Sequence, residues 1–120
     1  MKAKRIQRKR TRGWKAPENS VYVGRPTVFG NPFTIENALK ANPNSSVDEA
    51  RFWVMRAFHQ WLCGSVRLSD VLPERRAEIL RRLPELRGKT LLCWCPLHDK
   101  NGKIFPCHAD VLLEMANEEN

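Results

Sequence analysis

The run Lys89-Thr-Leu-Leu-Cys-Trp-Cys95 constrains the fold more than any other stretch of the chain. It follows a break at Gly88 and shows no apolar–polar alternation. An unbroken apolar run of this length suits a strand covered on both faces, the habit of parallel sheets. Helix signals surround it. Ser46 with Glu49 three residues later makes a capping box and predicts a helix over Val47–Leu62. Ala50, Trp53, Val54, Ala57, Phe58 and Trp61 fall on one broad face of it, expected to be packed. A second helix is expected over Pro73–Leu83, with Ile79, Leu80 and Leu83 inward. A last helix, Ala109–Ala116, starts at Cys107 or His108.

Earlier in the chain, Ser20–Gly24 is β-branched and aromatic, a short strand. The prolines and glycines around Arg25–Phe33 exclude a helix and fix a loop. The order is therefore β, β, loop, α, α, β, α. That order describes a single small α/β domain with a short, mostly parallel sheet flanked by helices. At 120 residues the chain can bury roughly two-thirds of its unfolded surface, enough for one core and no second.

The formal net charge of +8 is unevenly placed. Residues 1–15 hold eight basic side chains and no acid, whereas residues 16–120 hold thirteen of each sign. Residues 1–15 thus read as a basic N-terminal arm or edge strand, and residues 16–120 as one neutral domain. Such an arm offers salt-sensitive affinity for nucleic acid, or serves only as a solubilising tail. No apolar run approaches the ~20 residues of a membrane span. No apolar segment of the signal-peptide kind follows the basic start. The expected setting is cytoplasmic, with no membrane partner. There Cys63, Cys93, Cys95 and Cys107 read as thiols or metal ligands rather than disulfides.

The chemistry concentrates late in the chain. On a strand, Cys93 and Cys95 share a face, and Cys95 lies at the carboxyl end. Cys107 and His108 open the next helix. Strand carboxyl ends and helix amino ends are where α/β sheets place ligands. Cys93, Cys95, Cys107 and His108 form a possible tetrahedral zinc set. Against it, one residue separates the paired cysteines where structural sites commonly have two, and adjacent Cys107 and His108 demand irregular backbone. Cys93 reads equally as a small buried core residue. A second reading is catalytic. Cys107 at a helix start is an activated thiol, with His108 or Asp110 handling its proton, in a cysteine-dependent enzyme on nucleotides.

A third reading needs no covalent step. The helix start binds an anion, Arg25 forks onto a phosphate, and Asn31 reads a polar edge or holds its own turn. It predicts one pocket from Arg25, Asn31, Cys95, Cys107, His108 and Asp110. The expected ligand is phosphate-bearing, a nucleotide or a nucleic-acid end. The bland counterpart is a rigid loop at Gly24–Pro32 with no ligand. His98 reads as a solvated loop residue or a spare ligand.

Together, Gly24-Arg25-Pro26, Gly30-Asn31-Pro32-Phe33, Gly88-Lys89, Cys93-Trp94-Cys95 and Pro106-Cys107-His108-Ala109-Asp110-Val111-Leu112 resemble the domain-of-unknown-function family numbered 4326. That family is found in bacteria and their phages. The resemblance extends from about Arg5 to Met115. It implies a small intracellular protein, phage- or prophage-borne, and no assigned activity. Two stretches depart from the family pattern. Leu97–Phe105 is longer than the short family form, and Arg8 stands where an aliphatic residue would fit.

Overall fold

Thr90–Cys93 is the central strand, β3, of a three-stranded sheet in the computed structural model, which describes residues 4–118. Arg5–Gln7 (β1) and Ser20–Tyr22 (β2) pair with it on either side, both parallel. Arg5 is in register with Leu91, Gln7 with Cys93, and Tyr22 with Leu92. Leu91, Leu92 and Cys93 are all buried, so β3 is covered on both faces. The fold is the expected single α/β domain, with its parallel sheet flanked by helices.

The helices follow their local signals. Helix α1 (Ile35–Ala41) is short, and α2 spans Val47–Leu62. At the start of α2, the Ser46 hydroxyl accepts from the Glu49 N–H at 3.1 Å. The Glu49 carboxylate accepts from the Ser46 N–H at 2.9 Å. Helix α3 spans Pro73–Arg82, and α4 spans His108–Ala116. The α1 helix is a departure from the expected order, which has no helix there. Its cues are modest: Thr34 caps the Asn37 N–H at 3.1 Å, and Glu36 pairs with Lys40 one turn on.

The core joins Phe58, Trp61 and Leu62 of α2 to Ile79, Leu86, Leu91, Cys93 and Leu112. Helix α4 packs on β3, β1 and α2. Trp53 is not in this core. It is 53% exposed, because it lies on the margin of the stripe that runs through Ala50, Phe58 and Trp61. Two arginines of α3 reach inward to satisfy backbone. Arg76 donates to the carbonyls of Trp61 and Leu62 at 2.7 and 3.0 Å, closing the end of α2. Arg75 donates to Gly30 O at 2.7 Å and to Thr27 O and Val28 O at 3.3 Å, anchoring the Gly-Arg-Pro loop.

That loop needs its glycines for space. A Cβ on Gly24 would stand 2.5 Å from the Tyr22 hydroxyl. One on Gly30 would stand 3.1 Å from the Arg25 backbone nitrogen. The long segment Leu97–Phe105 folds on itself. His98 and Ile104 form an antiparallel bridge, and the Phe105 N–H donates to Leu97 O at 2.8 Å. The segment therefore leaves through a closed base.

Candidate functional site

The strand β3 stops at Cys93 and the chain bends through Trp94 and Cys95. The bend swings the Cys95 sulfur back toward that of Cys93. Cys107 arrives from the far side as the N-cap of α4. The three sulfurs lie within 4.8 Å of one another, and those of Cys93 and Cys107 are 3.5 Å apart. Tetrahedral zinc with ~2.3 Å bonds sets its sulfurs ~3.8 Å apart. The triad is thus spaced to hold a metal ion. Cys93 is fully buried core, and its sulfur also belongs to the triad.

Arg5 of β1 backs the triad. Its guanidinium donates to the Cys107 sulfur at 3.3 Å and reaches the Cys93 sulfur at 3.9 Å. It also donates to Phe105 O at 2.7 Å and to Cys95 O at 3.4 Å. Its Nε pairs with Asp110 at 2.9 Å, with the arginine side chain only 4% exposed. Asp110 turns the same carboxylate oxygen to the Cys107 N–H at 2.8 Å, and the Ala109 N–H donates to the Cys107 sulfur at 3.4 Å. One acid thus fixes both the helix cap and the arginine.

These contacts set the titration. Burial opposes the Arg5 charge, but the Cys107 sulfur and the Asp110 carboxylate raise its pKa above the ordinary value. Hydrogen bonds from the Cys107 and Cys95 thiols pull the Cys93 thiol far down. Hydrogen bonding to Cys93 and Cys95, together with burial, pushes Cys107 up. The three behave as a set: one sulfur ionises readily and the others then resist. Burial lowers the pKa of His108.

The triad floors a cleft of about 770 Å³. The cleft opens at the carboxyl ends of β2 and β3 and at the amino end of α4, where an α/β sheet receives ligands. Phe33, Val54, Met55 and Pro106 give it apolar walls, Arg25, Arg51 and Lys100 bring positive charge, and Asp48 and Asp99 bring negative charge, with Arg51 paired to Asp48 at 3.2 Å. Trp94, 38% exposed, stands at the mouth. The guanidinium of Arg10 lies 4.9 Å from its ring centre and that of Arg8 5.2 Å. Arg8 also lies over Tyr22 at 4.9 Å.

A family model described as Domain of unknown function (DUF4326) matches residues 6–118. The chain belongs to this family. No curated protein and no solved structure matches it. In this DUF4326 chain, Arg25, Asn31, Cys95, Cys107 and His108 all line the one cleft, and Asp110 stands behind it. Their polar groups are not equally free. Arg25 donates to Asn31 O at 3.0 Å and to Phe33 O at 3.2 Å. Asn31 is buried; its amide donates to Val54 O at 2.9 Å and its oxygen accepts from the Phe33 N–H at 2.9 Å.

His108 stands apart from the triad. Its Nε2 lies 3.0 Å from Val23 O, which only accepts, so this nitrogen carries the proton. Its ring meets Phe58 edge-on at 5.5 Å. Consecutive residues at a helix start point in different directions, which separates this imidazole from the Cys107 sulfur. Sequence reasoning missed Arg5 altogether and counted it as one of eight arm charges. No local signal marks it, since only the register of β1 on β3 brings it beneath the sulfurs. In this DUF4326 chain the Leu97–Phe105 segment leaves Cys95 and Cys107 adjacent, because its base is closed.

Proposed function

We propose that this chain is a zinc-bearing binding protein whose cleft takes a nucleotide, free or at the end of a nucleic acid. The observation that carries the reading is the sulfur triad at the floor of a cleft of ligand-binding size. Thiolates select soft ions, and zinc suits a tetrahedral sulfur site without redox chemistry. Charge supports the fit: three thiolates and one divalent ion leave a single negative charge, and Arg5 lies against it. The ligand class is supported by the exposed cation Lys100 and by the Arg8–Trp94–Arg10 cluster at the mouth. Guanidinium groups favour phosphate, and arginine–aromatic stacks are a feature of single-strand sites.

The cysteine-dependent enzyme reading has less support. Cys107 is buried and capping a helix, its pKa is pushed up by its sulfur neighbours, and His108 donates elsewhere. The test begins with metal content. Protein purified without chelator is expected to carry about one equivalent of zinc, as a closed-shell structural ion would give. Cys95→Ser is expected to lose it, whereas Cys63→Ser, at an exposed thiol outside the cleft, keeps it. A folded, metal-free wild type would falsify the zinc reading. Titration with AMP and with a 5′-phosphorylated oligonucleotide separates the two ligand sources. Binding of neither sinks the nucleotide reading and leaves the zinc result standing.

A further inference from the structure

The triad supplies three donors, and tetrahedral zinc needs four. Among the described residues no fourth histidine, cysteine or carboxylate atom joins the group. The Asp110 oxygen is held by Arg5 and by the Cys107 N–H. The His108 Nε2 donates to Val23 O, and its Nδ1 lies outside the sulfur group. Arg5 lies against the sulfurs of Cys93 and Cys107 but stays off the cleft wall, while all three cysteines line the cleft. The sulfurs therefore stand between a buried guanidinium and open space.

Resting on the zinc reading above, we infer that the fourth coordination position opens into the cleft and is filled by an aromatic ring nitrogen of the bound ligand, as on a nucleobase. Three thiolates already donate strongly, which leaves a soft ion better matched to a ring nitrogen than to a phosphate oxygen. The apolar walls agree. Val54, Met55, Phe33 and Pro106 favour a flat neutral group over an anion. The exposed Lys100, with Arg8 and Arg10 by Trp94, is set for the phosphate at the mouth. The ligand thus enters base first.

Cobalt(II) makes the geometry visible. The full chain loaded with cobalt is expected to show the charge-transfer and visible bands of a tetrahedral thiolate site. Imidazole, a minimal ring-nitrogen probe, is expected to shift the visible bands, and inorganic phosphate to leave them in place. Among the described residues, His98 and His108 are the histidines lining the cleft, so His98→Ala and His108→Gln are measured alongside. Unchanged spectra in both variants that still respond to imidazole support an open position. A spectrum indifferent to imidazole, or one altered by either substitution, overturns the inference while leaving the metal in place. Bands moved by phosphate and not imidazole overturn the donor class. Failure to take up cobalt or zinc removes the metal reading and this inference together.

Discussion

The two sides of the cleft use their polar groups in opposite ways. On the Gly-Arg-Pro side, Arg25, Asn31 and Arg75 direct donors onto backbone carbonyls. On the cysteine side, three sulfurs meet mainly one another and a single guanidinium. A satisfied polar group shapes a wall, whereas a cluster of soft donors with few partners is suited to hold something. The boundary cuts through one motif: Cys107 belongs to the second kind, and its neighbours His108 and Asp110 to the first.

The largest expected effect tests whether the sulfur side depends on its one cation. Arg5→Met leaves the Cys107 sulfur, the Phe105 carbonyl and the partly exposed Asp110 carboxylate without their shared donor, a loss of about 3 kcal/mol. Urea denaturation measures it, and a loss under ~1 kcal/mol, typical of an exposed pair, would place Arg5 among ordinary surface charges. Asn31→Ala comes next. It strands the Phe33 N–H and removes the second donor to Val54 O, which the helix still pairs, and is expected to cost about 2 kcal/mol of stability. Zinc content should not change; a loss of zinc in this variant would break the division between the two sides.

His108 gives a smaller, pH-dependent effect. An unfolded histidine titrates near 6.5, and burial lowers that value in the fold. Below pH 6.5 the unfolded chain therefore takes up a proton that the folded chain refuses. The contribution is present above 6.5 and is lost as pH falls toward the folded value. Urea midpoints of wild type and His108→Gln, compared across this range, should converge on acidification as the wild type loses its advantage. Parallel curves would mean that this imidazole is not held neutral. The smallest effect belongs to the mouth. Arg10→Ala should leave folding within ~0.5 kcal/mol, as surface changes do. It should reduce the salt slope of oligonucleotide binding by about 0.7 for each phosphate that Arg10 neutralises. An unchanged slope would remove Arg10 from the ligand's path.

What the sequence carried was local. The capping box at Ser46–Glu49 marked α2 at its first residue, and the apolar run marked β3. The nearness of Cys95 to Cys107 was readable as a strand end beside a helix start. Direction was not readable. Nothing in Cys107-His108 says that the sulfur turns toward Cys93 and the imidazole toward Val23, because that choice follows from how α4 seats on β3. Arg5 shows the same limit at longer range. Among seven other arm cations it looks like solvated charge, and only pairing of β1 with β3 buries it. The opposite error occurred at Trp53, where a large apolar residue at helical spacing was expected inside and lies on the margin.

The bond between Arg5 and Cys107 spans 102 positions of the chain. During synthesis the first strand emerges early, yet its arginine has neither Asp110 nor the third sulfur until the last helix leaves the ribosome. Contacts of such separation form late, since the entropy of closing the long loop must be met first. A nascent or truncated chain that stops before Cys107 has two sulfurs and no finished cap. Metal capture would then report completion of the fold, and a chain released early would fail to retain the ion.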